Sequence, residues 1–357
     1  MIHRSFSDCL ARHAQSYPAM QPTDAVKLAY QSEFGGGHMI ADPAKSLAFL
    51  ERELQTVTPT DMPLAESIGG GKVRLHLATL RGLSPKTINR AFVTSANRVH
   101  GTLEGLEEKL GAVRALCADG GFAFSLDELD AYLADYRAAG CPAVSHSAAY
   151  RAAYHPAYRV VDERFLPLLT LMEAIETHLA TAGHVRVAID GMAASGKTTA
   201  AELIAAAFDA AVIHMDDFFL PIPLRTPERL AEPGGNVDYD RFLTEVAEPL
   251  REGREVAYGV FDCSVMRVTH TRTVEQRAVT LVEGSYSHHP KFGVYADLTA
   301  FSQISAELQR ERILVRNGEA MWQRFRDAWI PMENRYFEAF NTAQSADLIL
   351  HPIEYDA

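Results

Sequence analysis

Between Ile2 and about Ala148 the apolar positions recur at the three-to-four spacing of amphipathic helices, interrupted by glycine and proline. Asp42-Pro43 reads as a cap and first helical turn, and Leu47, Leu50 and Leu54 then fall on one face. Ser84-Pro85 leads in the same way into Thr87 to Val99, a further helix is expected from Leu103 to Cys117, and Ser125 with Glu128 has capping-box spacing ahead of Leu126 to Ala139. Val73 to Leu77 is the best strand-like run in this half. From Val185 the pattern changes to short apolar runs: Val185 to Ile189, Ala211 to Met215, Val279 to Val282, Leu298 to Ile304 and Asp347 to Leu350. Such runs alternating with helical stretches predict an α/β fold, a parallel sheet flanked by helices, with ligands at the carboxyl ends of its strands. Tyr150, Tyr154 and Tyr158 form a packing stripe across Pro156, and the boundary is placed there. The expectation is a mainly α-helical N-terminal domain over 1–155 and an α/β domain over 156–357, entered through a helix from Asp162 to Thr181.

A chain of 357 residues fits two such domains, and 47% apolar with 22% charged residues is the composition of a globular protein. No run of about 20 apolar residues could span a bilayer, and the start Met1 to Asp8 lacks the apolar stretch of a secretory signal. A cytoplasmic protein without a membrane partner is expected. Cys9, Cys117, Cys141 and Cys263 are scattered without a CxxC pair, which suits reduced thiols rather than a disulfide framework or zinc site. The formal net charge of −12 argues against nucleic acid as a partner, although arginines gathered in one cleft can still hold small phosphates.

The chemistry is concentrated in Gly191-Met192-Ala193-Ala194-Ser195-Gly196-Lys197-Thr198, which satisfies GxxxxGK[ST] between an apolar strand and a helix that begins with Thr199. Gly191 and Gly196 allow the backbone to approach phosphate, with the N–H groups of Ala194 to Thr199 turned toward its oxygens. Lys197 supplies a point charge, Thr198 a magnesium ligand, and the helix start favours the same anion. A nucleoside triphosphate, taken as ATP, with Mg2+ is the expected cofactor pair. NKxD and LSGGQ-type signatures are absent, which disfavours GTPases and transporter ATPases. His214-Met215-Asp216-Asp217-Phe218-Phe219 instead ends the second strand, where a carboxylate can accept a proton from an attacking hydroxyl. Two glycine triplets, in Phe34 to His38 and Ile68 to Lys72, lack the spacing of a phosphate loop and read as turns; Glu33, His38 and Lys72 are the residues to test there.

The loop, His214 to Phe219, Leu281-Val282-Glu283-Gly284-Ser285-Tyr286 and Arg310-Glu311-Arg312-Ile313-Leu314-Val315-Arg316 come in an order that resembles the uridine kinase and phosphoribulokinase family of P-loop kinases, from about Val185 to Pro352. The resemblance implies a P-loop kinase domain in which Asp216 is the general base and Glu283 stands beside magnesium with Thr198. It implies that Asp238 holds the acceptor, and that Arg312 and Arg316 belong to a lid over the phosphates, with Lys197 and Arg316 stabilising the transferred group. Elementary chemistry agrees on the last point, since Arg310, Arg312 and Arg316 lie within two turns of one helix. The stretch matching the family's base-reading segment is Val260 to Arg267: Phe261 and Asp262 are retained, while Cys263 and Met266 replace a ring and a histidine. That departure widens the expected acceptor from uridine to a hydroxyl of a nucleoside, sugar or polyol, and makes His288 a candidate pocket residue. An alternative is an ATP-binding regulator whose helical domain contacts a partner. The N-terminal domain carries no evident catalytic set, and homo-oligomerisation is left open.

Overall fold

The computed structural model describes residues 5–40, 42–58 and 62–351. The chain divides into two compact units at Leu166 and Pro167. Among the described residues no helix is long and apolar enough to cross a membrane.

The first unit holds α1 (Phe6–Ser16), α2 (Pro22–Phe34), α3 (Pro43–Leu54), β1 (Ala65–Gly69), β2 (Lys72–His76), α4 (Pro85–Asn97), α5 (Leu103–Ala118), α6 (Leu126–Ala138), α7 (Ala148–Tyr154) and β3 (Tyr158–Asp162). The caps are those the sequence offers: Asp42 accepts from Ala44 and Lys45 N–H, Ser84 from Thr87 N–H, and Ser125 and Glu128 close a reciprocal box. Leu10, Leu28, Leu106, Leu110, Leu129 and Leu133 form the core between the helices. Besides the expected strand around Val73 there are two more, and the three make an antiparallel sheet in the order β1-β2-β3. The stripe of tyrosines is divided by His155, held at φ 45°, and Pro156: Tyr150 and Tyr154 end up in α7 and Tyr158 opens β3. Asp162 to Thr181, expected as one helix, is divided too. Asp162 pairs with Lys72 at the end of β3, Glu163–Leu168 forms tight turns containing Pro167, and the helix proper begins at Leu169.

The second unit runs α8 (Leu169–Ala182), β4 (Val185–Gly191), α9 (Lys197–Phe208), β5 (Ala211–His214), α10 (Pro227–Ala231), α11 (Tyr239–Phe242), α12 (Glu248–Glu252), β6 (Val256–Asp262), β7 (Arg267–Val274), β8 (Val279–Glu283), β9 (Leu298–Ser302), α13 (Ala306–Arg324), α14 (Ile330–Phe340), α15 (Thr342–Ser345) and β10 (Leu348–Leu350). Its main sheet is parallel throughout, in the order β10-β9-β4-β8-β5. Helices cover both faces of such a sheet, so its strands are apolar without alternation; Val187, Ile189 and Leu281 are fully buried. β6 and β7 form a separate antiparallel hairpin, and helical geometry in α13 is interrupted at Gly318, at φ 76° and ψ 174°.

Candidate functional site

β4 ends in the glycine loop, and the packing there tolerates no side chain at Gly191: its φ is 143° and a Cβ would lie 2.2 Å from the Ser302 carbonyl oxygen. Ala194 at φ 58° and Gly196 at φ 100° turn the chain into α9. Gly196 caps that helix without a side-chain hydrogen bond, so the N–H groups of its first turn, Lys197 to Thr199, receive no capping oxygen from that residue. Lys197 Nζ donates to the Gly191 and Met192 carbonyls at 2.8 and 2.9 Å, folded back over the loop. The buried Ser195 hydroxyl has no hydrogen-bond partner among the described residues. An uncapped helix start, a folded-back lysine and an orphaned hydroxyl suit a polyphosphate.

Strand register brings the carboxylates in. Glu283, the last residue of β8, pairs with Ile189 of β4 on one side and His214 of β5 on the other. Its buried carboxylate accepts from Thr198 Oγ1 at 3.2 and 3.3 Å and meets His214 Nδ1 at 2.6 Å. That hydrogen bond raises the His214 imidazole above its ordinary value, against the effect of burial. The oxygens of Thr198 and Glu283 are the hard donors magnesium takes. Asp216 lies in the turn Met215–Phe218 just beyond β5. The residue is exposed. Desolvation by the surrounding protein, and then the Glu283 carboxylate, raise its carboxyl, with Lys197 opposing. Asp217 is otherwise engaged, accepting from the buried Tyr258 hydroxyl at 3.0 Å.

The remaining candidates fall into two groups. Asp238 is buried; its N–H donates to Phe218 O at 2.8 Å and its carboxylate caps α11, which ties it to the Asp216 turn. Phe261 packs edge-on against Phe219 of the same turn, and Cys263, whose thiol is raised by burial and then by Asp216, brings the hairpin turn alongside. Asp262 spends one oxygen on the Ser264 N–H and hydroxyl at 2.7 and 2.6 Å. His288 is set apart: its N–H donates to Asp190 and its ring contacts the Ala188 carbonyl at 3.1 Å. Among the lid candidates Arg312 reaches the loop, donating to Ala194 O at 3.3 Å, whereas Arg316 lies exposed against Asn317 Oδ1 and Arg310 sits over Trp322.

Three further residues at the loop had no assignment from sequence. Asp190, fully buried, accepts from the N–H groups of Gly191, Tyr286 and His288 and from the Tyr336 hydroxyl. It thereby holds Tyr286 at φ 77°, a conformation that costs a bulky residue of order 1 kcal/mol. Glu333 of α14 accepts from Ala193 N–H at 2.9 Å and from Ser285 Oγ at 2.8 Å, and burial raises its carboxyl. His214 stood in the quoted stretch beside Asp216. The signal for Asp190 is its place directly before Gly191, while Glu333 offers none, lying far along the chain in an amphipathic helix.

A central parallel strand, a glycine loop wrapped on the start of the next helix and a carboxylate from the neighbouring strand define a P-loop nucleotide-binding fold. No family model and no curated protein matches the chain. Among the solved structures similar to about half of it are a possible uridine kinase from Bacillus stearothermophilus, at 20% identity and TM-score 0.38 over 50% of this chain and 95% of that one, and a putative fructose transport system kinase from Silicibacter sp. TM1040, at 22% identity and TM-score 0.40 over 47% and 90%.

Proposed function

We propose that the second unit is an ATP- and magnesium-dependent kinase that phosphorylates a hydroxyl of a nucleoside, sugar or polyol. The observation that carries this reading is the register that fastens Glu283 to Thr198 and leaves Asp216 in the cleft with no hydrogen bond to its carboxylate among the described residues. The acceptor oxygen forms a bond to the γ-phosphorus as the bond to the β–γ bridging oxygen breaks, its proton passes to Asp216, and ADP leaves. A carboxyl held above its ordinary value is a better proton acceptor than a free aspartate. Lys197, released from the Gly191 and Met192 carbonyls, and Arg312 beside Ala194 neutralise the moving charge. Thr198 and Glu283 would hold magnesium, which would offset negative charge on the phosphates during transfer. Asp238, Phe261 and the Cys263 turn border the acceptor side. A ring there meets one phenyl edge and a thiol, which favours compact hydroxylated molecules over a stacked base.

The test is ADP release with ATP and magnesium across nucleosides, sugars and polyols, with mass detection of the phosphorylated product. Turnover of any of these supports the kinase and names its acceptor class. Silence across the panel while ATP still binds would overturn it in favour of a nucleotide-dependent regulator.

A further inference from the structure

The two glycine triplets of the first unit are not independent turns. Gly35 and Gly36 from one, and Gly70 and Gly71 from the other, line a single cavity of about 500 Å³. Both loops are packed backbone-first: a Cβ at Gly36 would lie 2.4 Å from the Phe92 ring and one at Gly70 2.7 Å from the Ser32 carbonyl oxygen. At Gly71 the nearest heavy atom would be 3.8 Å away, so this glycine faces the open side.

Lys72, Arg98, Lys109 and Arg164 line the cavity against Glu33, Asp162 and Glu163, an excess of positive charge in a chain whose net charge is −12. Lys72 Nζ donates to Ser32 O at 2.7 Å and Gly70 O at 3.0 Å, which leaves one of its three N–H bonds for a ligand. The first of these bonds covers the carboxyl end of α2, whose negative pole would otherwise repel an anion. Lys109 is tied to Glu33 and keeps two N–H bonds. Burial, and then the charge of Lys109, hold the Lys72 ammonium below its ordinary value: two like charges share one poorly solvated space. Ser32, at the wall, has a buried hydroxyl without a hydrogen-bond partner among the described residues.

We propose that this cavity binds a phosphate dianion, free or carried as a small monoester, between Lys72 and Lys109. A dianion offsets the repulsion of the two ammonium groups, and its several oxygens accept from both lysines and from Ser32. The space beside the phosphate takes a body the size of a sugar. This binding is independent of the kinase reading of the second unit.

Hydrogen exchange on the full chain tests it, with inorganic phosphate, glycerol 3-phosphate or ribose 5-phosphate added in separate arms. Slowed exchange in peptides covering 32–37 and 69–72 is expected in at least one arm, and which arm responds distinguishes the free anion from an ester. In the Lys72→Met, Lys109→Met double variant the concentration for half protection should rise about tenfold or more. Gly71→Asp leaves both lysines in place and puts a carboxylate on the open side at a φ that Asp tolerates, so it should abolish the protection even if the double variant folds poorly. ATP protection of 191–199 in the same samples reports the second unit separately. No protection in any arm, or protection unchanged in Gly71→Asp, would overturn the proposal.

Discussion

Asp216 is where one atom decides the chemistry. Asp216→Asn keeps the size of the side chain and removes its ability to take a proton, so turnover should drop by about two to four orders of magnitude while ATP affinity stays within a few fold. Single-turnover kinetics together with equilibrium ATP binding separate the two effects, and near-normal turnover would remove Asp216 from the mechanism. The sequence pointed to this residue because a strand end followed by two acidic residues is short-range information. It does not distinguish Asp216 from Asp217 physically, whereas the Tyr258 hydroxyl on Asp217 does. The lid arginines show the opposite limit. Spacing on a helix puts Arg310, Arg312 and Arg316 on nearby turns, but the rotation of that helix against the loop is set by packing, Gln309 reaching the Ala193 carbonyl and Arg312 that of Ala194. Arg312→Ala should therefore raise the KM for ATP by about tenfold or more, the loss of about one charge-assisted hydrogen bond. Arg316→Ala, which touches nothing of the loop in the free protein, should leave ATP binding unchanged; equal losses in the two variants would contradict this arrangement.

Elements explain why the site assembles at all. The five strands of the main sheet were legible because each is a short continuous apolar run, buried along nearly its whole length in β4, β8 and β9, and each run coincides with a strand of the sheet. β7 was not, since all its residues but Val274 are exposed and Arg267 to Thr273 carries a single apolar residue, Val268. The strand order β10-β9-β4-β8-β5 is likewise a tertiary choice that no local pattern states, yet it is this order that sets Glu283 between Ile189 and His214. Glu333 illustrates the same gap: α14 brings a carboxylate to the Ala193 N–H from far along the chain. Because that contact positions the loop, Glu333→Ala should raise the KM for ATP about tenfold with a smaller change in kcat, the loss of one or two buried hydrogen bonds. Glu333→Gln can still accept from Ala193 and donate to Ser285 Oγ, so it should remain within about threefold of the parent. Equal damage in both variants would mean that the charge, not the hydrogen bonds, matters.

Across the whole molecule, acid acts through two opposing effects whose sizes decide the outcome. Lowering the pH from 7 toward the sequence pI of about 5.6 relieves the self-repulsion of a chain with net charge −12, which favours the folded state. Against this stand three histidines that burial holds well down, while His214, raised by its Glu283 hydrogen bond, favours the folded state as the pH falls. Burial holds His13, His146 and His289 down at about 4, with Arg74 adding to the shift at His13 and the Asp24 hydrogen bond opposing it at His146. At pH 7 all three are neutral in the folded chain and mostly neutral in the unfolded one, so their effect there is small. As the pH falls below about 6.5 the unfolded chain takes up protons that the folded one refuses, and each histidine then costs up to about 1.4 kcal/mol per pH unit until its folded value is reached. Glu66, held down at about 2 by its His76 and Tyr17 hydrogen bonds despite burial, adds a further loss only below about pH 4.5. Self-repulsion among dispersed, screened surface charges is the weaker effect. The urea midpoint, followed by hydrogen exchange in core peptides of each unit, should therefore fall steadily from pH 7 to pH 5, more in the first unit, which holds two of the three histidines, than in the second. A midpoint that rises toward the pI would mean that these histidines are protonated at little cost and that the buried network around Asp24 and Arg74 is looser than its hydrogen bonds imply.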